Sequence, residues 1–281
     1  MIRQLTEGDR IKTLAFLSKN PGLNLFQIGD IENFGFDSDI QTVWGSFNEN
    51  DELNGVLLRY RENFIPYFED LDFNVEGFKS IIKTNDCAKI ISGEKVIADQ
   101  FTDCFEQAEV REMYFCELID DSFLEEVLVE IKEASCEDAR RILDLLVTIE
   151  EFSGTFRSTD EICRKIESRS GRVYFIENEA KDVVCNVQTA AENSKSAMVV
   201  AVATHKDYRK RGFMAQCLSK LCRDLLNENK TLCLFYDNPE AGAVYHKLGF
   251  KTIGKWKMIV CKQILEREPL LKISGSFFAI F

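Results

Sequence analysis

The same order of secondary structure elements is predicted twice along the chain, and this repeat limits the fold more than any other feature. Hydrophobic periodicity and helix-capping residues predict β-α-α-β-β-β-α-β-α-β in each half, without a matching repeat of residue identities. The order favours a mixed α/β (α+β) fold of two tandem domains, each a mostly antiparallel sheet flanked by helices. We place the join near Leu128, which gives domains 1–127 and 128–281. Two unrelated α+β domains remain the alternative.

Charge is divided unevenly between these halves. The net charge is −12, but residues 1–128 carry 11 basic and 26 acidic side chains, whereas residues 129–281 carry 24 and 21. A protein whose whole surface binds nucleic acid normally has a basic stripe, so we expect no nucleic-acid partner. The mildly basic second half still allows one local anion site.

The sequence also indicates a compartment and a cysteine state. The first 20 residues carry charges throughout, and no apolar run approaches the roughly 18 residues of a membrane-spanning helix. We therefore expect a cytoplasmic protein with no membrane partner. Ten cysteines without a C-x-x-C pair, with only two histidines, predict free thiols and no metal site.

The most informative stretch runs from residue 199 to residue 226. It predicts a buried strand, a basic turn with one glycine and an amphipathic helix, an arrangement that directs unpaired backbone N–H groups outward. Gly212 would let the backbone approach an oxyanion closely. The basic side chains of the turn are Lys206, Arg209, Lys210 and Arg211. The pattern favours a phosphate or pyrophosphate ligand; the alternative is a solvated basic turn.

Two motifs together resemble those of the GNAT acetyltransferases. Arg209 to Met214 matches the cofactor loop of that family, in which a basic or amide residue precedes a glycine by three positions. Met214 departs from the small residue usual at the last place. Asn238 to Phe250 matches the second signature, N-x-x-A-x-x-V-Y-x-K-L-G-F, throughout. The motifs lie within residues 128 to 262, whereas the first half resembles the family only in element order.

The resemblance implies an N-acetyltransferase that moves an acetyl group from acetyl-CoA to a primary amine by direct attack. Main-chain groups of Val202 and Thr204 would pair with the pantetheine, and N–H groups of residues 210 to 214 would bind the pyrophosphate. Tyr245 would protonate the coenzyme A thiolate as general acid. The implied cofactor-binding residues are Val202, Ala203, Thr204, Arg209, Lys210, Arg211, Gly212, Phe213, Met214, Asn238 and Tyr245.

Several residues in this half allow a structural interpretation instead. Tyr245 also fits an ordinary core aromatic, and Asn238 before Pro239 fits a helix cap, a role we expect in addition to facing the cofactor. His246 is interpreted as a surface residue. The general base is left open among Glu150, Glu151, Glu192 and water, and Glu179 is expected at the surface.

Other functions and partners remain open at this level. The first half resembles a degenerate copy that binds no coenzyme A, because FIPYFEDLDFNVEGF is acidic where a pyrophosphate would lie. One alternative function is a non-catalytic, acetyl-CoA-binding regulatory module; another is an aminoacyl transferase of the tandem-domain cell-wall type. The acceptor is a small-molecule or peptide amine, and acidic surroundings would steer a cationic one. A homodimer is one alternative for the oligomeric state. The tail after Val260 is expected to dock on the sheet.

Overall fold

The computed structural model describes residues 1–152 and 158–262, except for the side chain of Glu151. The docking predicted for the C-terminal tail therefore lies outside the described residues beyond Lys262. The helices are α1 (Arg10–Leu17), α2 (Leu25–Phe34), α3 (Glu76–Lys83), α4 (Lys95–Ala98), α5 (Ala139–Leu146), α6 (Thr159–Glu167), α7 (Phe213–Asn227) and α8 (Pro239–Lys247). The strands are β1 (Ile2–Gln4), β2 (Asp37–Ser38), β3 (Gln41–Phe47), β4 (Leu53–Tyr60), β5 (Asn63–Phe68), β6 (Ile90–Glu94), β7 (Ala108–Leu118), β8 (Lys132–Glu133), β9 (Val173–Glu177), β10 (Val183–Ala190), β11 (Ser196–Thr204), β12 (Thr231–Tyr236) and β13 (Lys251–Cys261).

The described chain forms two compact units. The first contains Met1–Phe115 together with β13 from Ile253 onward, and the second contains Cys116–Thr252. The unit boundaries thus fall inside β7 and inside β13, and the first boundary precedes Leu128. Division of the chain into domains 1–127 and 128–281 stays a prediction.

The sheet of the first unit is completed by a strand from far along the chain. Its strand order is β1-β3-β4-β5-β6-β13-β7, with β2 beside β3. β5 and β6 run parallel, whereas β13 runs antiparallel to β6, with Trp256 opposite Glu94 and Val260 opposite Ile90. The core of this unit is rich in phenylalanine, including the buried Phe64, Phe78 and Phe101.

The sheet of the second unit has the order β12-β11-β10-β9-β8. Only the β11–β12 pair is parallel; the three other pairs are antiparallel. Helix α7 packs its buried Leu218, Leu221 and Leu225 against this sheet, as the amphipathic pattern predicts. Helices α5 and α6 contact each other, and α5 also contacts β10 and β11. The predicted mixed α/β class is confirmed.

Local capping chemistry fixes where several helices begin. The side chains of Thr6 and Asp9, and of Ser135 and Asp138, form reciprocal capping boxes at the first helical turn of each unit. The Ser158 hydroxyl accepts a hydrogen bond from the N–H of Asp160, which starts α6. These starts follow from short-range contacts, and the sequence predicts all three.

One predicted strand is much shorter than expected. The periodicity predicts a strand over LVEIKEA, but β8 contains only Lys132 and Glu133. The segment before it bonds instead to side chains of α7, because the N–H of Leu128 donates to Gln216 Oε1 at 2.8 Å and the N–H of Glu125 donates to Ser219 Oγ at 2.9 Å. Side-chain acceptors on a helix therefore replace the ladder that the pattern predicted.

A half-buried carboxyl group in the first unit gives a pH-dependent prediction. Burial raises the pKa of Asp30, on α2, from 3.8 to about 7, because desolvation penalises its charged form. The native state then holds the proton more tightly than the unfolded chain, so stability is full below pH 4 and is lost as pH rises towards 7. Asp30→Asn should stabilise the protein at pH 8 by roughly 2–4 kcal/mol and change little at pH 4. Urea unfolding at both pH values checks this, and equal effects at the two would contradict it.

Candidate functional site

The parallel strands β11 and β12 separate along their length. Their paired residues are Ser196–Met198 on β11 and Thr231–Cys233 on β12, yet β11 continues to Thr204 and β12 to Tyr236. On the side that faces β12, the part of β11 beyond Met198 is therefore not paired with β12 in the described residues. It forms an open strand edge. An extended, amide-bearing ligand can add to such an edge as a further strand.

A β-bulge interrupts β11 at this open edge. Between the pairs Asn186↔Ala203 and Gln188↔Val200 the register shifts, so two residues of β11 oppose one of β10. Ala201 has a φ of +50°, in the left-handed region, and its main-chain oxygen accepts a hydrogen bond from Asn186 Nδ2 at 2.7 Å. The bulge is thus held by a side chain of the neighbouring strand and includes Val202, a predicted cofactor contact.

The basic turn leads directly into α7. Lys210 has a φ of +64° and Gly212 a φ of +75°, and α7 begins at Phe213. A β-carbon on Gly212 would lie 3.6 Å from Gln216 Nε2, an ordinary contact, so glycine is favoured here by its backbone conformation rather than by lack of space. The first N–H groups of α7 have no acceptor within the helix and carry the positive end of its dipole. The predicted turn and helix start are thus present, and binding of an anion there stays a prediction.

Two cationic side chains of the turn, Arg209 and Arg211, are held by main-chain oxygens without being neutralised. Arg209 Nε donates to the main-chain oxygen of Thr204 at 3.2 Å, and Arg211 donates to that of Asp207 at 3.0 Å. The Arg211 guanidinium also lies 4.7 Å from the ring centre of Tyr208. Within the described residues no carboxylate lies within 4.0 Å of Arg209, Lys210 or Arg211. Their charge remains available to an anion.

Phe213 and Met214 are the first two residues of α7. Both are partly buried and pack against the apolar core of the second unit, as do Val202 and Tyr245. Met214, which departs from the family pattern, therefore points its side chain into this core. Ala203 is buried and Thr204 is partly buried at the end of β11.

Tyr245 lies on α8 between two aromatic rings. Its ring centre is 6.2 Å from that of Tyr236 and 6.1 Å from that of Phe250. Its hydroxyl has no hydrogen-bond partner among the described residues, and burial raises its pKa to about 12. The phenol is therefore a neutral, unpaired donor at physiological pH. The packing also fits the core aromatic considered from sequence.

Two neighbouring predictions concern α8. Asn238 caps the helix, since its Oδ1 accepts from the N–H of Glu240 at 2.9 Å with Pro239 at the first position, so its capping role is confirmed. His246 is exposed, as expected, and both of its ring nitrogens form hydrogen bonds. Its Nδ1–H donates to the Phe250 carbonyl at 2.8 Å. Nε2 is then the acceptor for the Tyr236 hydroxyl at 3.0 Å.

The acidic residues considered as general bases differ in availability. Glu150 is exposed, and the side chain of Glu151 lies outside the described residues. The Glu192 side chain is 6% exposed and bonds both Arg172 and Lys230 at 2.7 Å. The Glu192 carboxylate is therefore engaged in two ion pairs. Glu179 is exposed, as expected.

Sequence reasoning missed the polar side chains of β10. Asn186 and Gln188 are both fully buried, and Gln188 Oε1 accepts a hydrogen bond from Lys165 Nζ at 2.6 Å. The signal was available, because two amides at alternate positions of the apolar strand VVCNVQTA must share one face of the sheet. Their partners, however, come from other elements and are not local in sequence.

The corresponding region of the first unit differs. Like β11 and β12, the parallel strands β5 and β6 pair over only a short stretch, at Asn63 and Phe64. The loop after β5, however, carries exposed acidic side chains: Glu69, Asp70 and Asp72. Phe73 of that loop stacks on Phe68 with ring centres 4.6 Å apart. This loop thus lacks the cationic side chains found between β11 and α7.

The described residues contain neither a membrane-spanning helix nor a group of side chains suited to a metal ion. None of their helices combines the length and the apolar character needed to cross a membrane. No three His, Cys, Asp or Glu side chains of the described part are grouped in a way that would hold a metal ion.

Comparison with known proteins identifies similarities over most of the chain. A family model described as GNAT acetyltransferase matches residues 69–259. An X-ray structure of a Drosophila protein is similar with a TM-score of 0.68 at 11% identity, over 92% of this chain and 98% of that one. A tandem GNAT protein from the clavulanic acid biosynthesis pathway gives 0.57 at 12%, over 92% and 97%. A GCN5-related N-acetyltransferase from Sphaerobacter thermophilus gives 0.59 at 10%, over 92% and 94%. A sequence search of curated proteins found no match.

Proposed function

Because the chain belongs to the GNAT acetyltransferase family, we propose that it transfers an acetyl group from acetyl-CoA to a primary amine. The observation that carries this proposal is the turn before α7, where Arg209, Lys210 and Arg211 remain without carboxylate partners among the described residues. We also propose that cofactor binding belongs to residues 128–262 and that the first half binds no coenzyme A.

The open edge of β11 and the start of α7 suit the two parts of coenzyme A. Main-chain groups of Val202 and Thr204 would pair with the pantetheine amides, and Ala203 lies between them on the same strand. The N–H groups from Lys210 to Met214 would bind the pyrophosphate, with the turn's cations around it. Asn238, at the start of α8, would face the cofactor while capping its helix.

The second unit would promote transfer chiefly by positioning and by proton donation. Bound acetyl-CoA supplies the activated acetyl group. A backbone N–H near the bulge of β11 would stabilise the charge that develops on the carbonyl oxygen as the amine attacks. The hydroxyl of Tyr245 would protonate the departing thiolate, and its lack of a competing partner favours that role. We assign removal of the amine proton to water, since Glu150 is exposed and Glu192 is bound by two cations.

A binding and release experiment tests this function. Calorimetry should show binding of acetyl-CoA, and a panel of primary amines should cause release of free coenzyme A thiol. Replacing Arg209, Lys210 and Arg211 together with alanine should weaken binding on the order of 10–100-fold, more at low salt than at high salt. Arg140→Ala is the matched control, because the Arg140 side chain is 77% exposed and lies on α5.

The outcomes separate the two functional classes. Tight binding without thiol release from any amine would support the non-catalytic regulatory module instead. Unchanged affinity in the triple variant would contradict the cofactor site itself.

A further inference from the structure

A buried polar chain lies on one face of β10 and reaches the bulge of β11. Lys165 Nζ donates to Gln188 Oε1 at 2.6 Å, Gln188 Nε2 donates to Asn186 Oδ1 at 3.4 Å, and Asn186 Nδ2 donates to the Ala201 oxygen at 2.7 Å. Gln188 and Asn186 are fully buried. These three hydrogen bonds connect the ammonium group of Lys165, on α6, with the backbone of Ala201 in the bulge, near the proposed reaction site.

This polar chain occupies the sheet face away from α7. Cys185 and Val187 alternate with Asn186 and Gln188 along β10. Cys185 and Val187 belong to the apolar core that also contains the buried side of α7. The amides therefore point to the opposite face, where Lys165 of α6 meets them. Both amides of β10 thus lie on this face, beside the bulge.

The ammonium of Lys165 differs from the other half-buried lysines of the second unit. Lys132, Lys220 and Lys230 each pair with a carboxylate, at 2.7 Å, 2.5 Å and 2.7 Å respectively. Lys165 bonds a neutral amide, and no carboxylate of the described residues lies within 4.0 Å of it. Desolvation lowers the pKa of Lys165 to about 8, although the charge of Glu161, one turn earlier on α6, acts in the opposite direction. A partly buried cation without a directly bonded anion is unfavourable, and a carboxylate ligand would supply that anion.

Its position along the sheet shows which ligand it would meet. Gln188 lies opposite Val200, immediately before the bulge, whereas the basic turn follows Thr204 at the other end of β11. A cofactor anchored at that turn would reach the bulge from the Thr204 side. The acceptor amine must then approach from the side of Val200, where Lys165 lies.

We propose that the acceptor is a small amino carboxylate, such as an amino acid, and that the Lys165 ammonium binds its carboxylate. Lys165 contacts Gln188, which lies opposite Val200, and the bulge begins at the next residue, Ala201. A carboxylate bound by Lys165 would therefore hold an amine that is a few bonds away close to the bulge. This inference rests on the proposed acetyl transfer and differs from the cationic acceptor that acidic surroundings of the pocket would steer.

The experiment compares each amino carboxylate with its carboxamide, which keeps the amine and removes the negative charge. The probes are the twenty protein amino acids, β-alanine and γ-aminobutyrate, each with its amide. Calorimetric titration into the protein saturated with coenzyme A measures binding without requiring turnover, and thiol release from acetyl-CoA measures kcat/KM. The variants are Lys165→Gln and Lys165→Arg, with Lys195→Gln as the control because Lys195 is exposed.

We expect at least one carboxylate to bind, and to react, about 10–100-fold better than its amide. Lys165→Gln should abolish that preference by lowering affinity and kcat/KM for the carboxylates towards the values of their amides, and Lys165→Arg should retain most of it. Melting curves of all variants verify that they fold.

Two results would overturn the inference. The first is equal binding of every carboxylate and its amide by the wild-type protein; the second is an equal loss for both in Lys165→Gln, which indicates a structural role. In either case, release of thiol from amides and simple amines would leave the proposed acetyl transfer standing. If carboxylates bind through Lys165 but nothing releases thiol, the binding inference stands and the proposed catalysis fails.

Discussion

Replacing Tyr245 with phenylalanine is expected to lower the rate of acetyl transfer about 100-fold while leaving affinity for acetyl-CoA nearly unchanged. The substitution removes only the hydroxyl oxygen, so the ring contacts with Tyr236 and Phe250 persist. Because the hydroxyl has no hydrogen-bond partner among the described residues, its loss should leave no orphaned group and cost little stability. Steady-state kinetics with a confirmed acceptor, together with calorimetry of cofactor binding, measure both quantities.

The neighbouring tyrosine provides the matched control. Tyr236 lies at the end of β12, and its hydroxyl donates to His246 Nε2. Tyr236→Phe makes the same chemical change 6.2 Å away, between ring centres, and should alter turnover only slightly. Full activity in Tyr245→Phe would remove Tyr245 from the mechanism. The raised pKa of Tyr245, about 12, also implies that its ionisation should not limit the rate between pH 6 and pH 9.

The largest effect on stability is expected from Trp256→Ala. Trp256 is 1% exposed on β13, and its ring meets Phe26 and Phe115 edge-on, with ring centres 5.5 Å and 5.7 Å away. Removing a buried tryptophan eliminates these contacts and leaves a cavity, so the free energy of unfolding should fall by about 3–5 kcal/mol. Urea unfolding followed by circular dichroism measures it.

Lys255→Ala is the control for the same strand, because the Lys255 side chain is 43% exposed. Its effect should stay below about 1 kcal/mol. In Trp256→Ala, the backbone amides of β6, the antiparallel neighbour of β13, should lose protection from hydrogen exchange. A decrease smaller than about 1 kcal/mol in Trp256→Ala would mean that β13 contributes little to the first unit.

The sequence predicted best what depends on neighbours in the chain. Gly212 before a helix and Asn238 before Pro239 are local signals, and both have the expected conformation or cap. The bulge at Ala201 could not be predicted, since it depends on how two strands are registered. The contact between Lys165 and Gln188 joins a helix to a strand and requires the folded unit. For the same reason the sequence showed β13 as a strand but not the sheet that it joins.

The pairing of β6 with β13 affects how the protein folds during its synthesis. At about 5–20 residues per second, a ribosome needs on the order of ten seconds to extend a chain from β6 to β13. Throughout that interval the nascent first unit presents β6 as an unprotected edge that any other extended chain is able to join. We therefore expect truncated or stalled products of this protein to aggregate, and co-translational chaperones to engage the nascent chain until residue 261 has emerged.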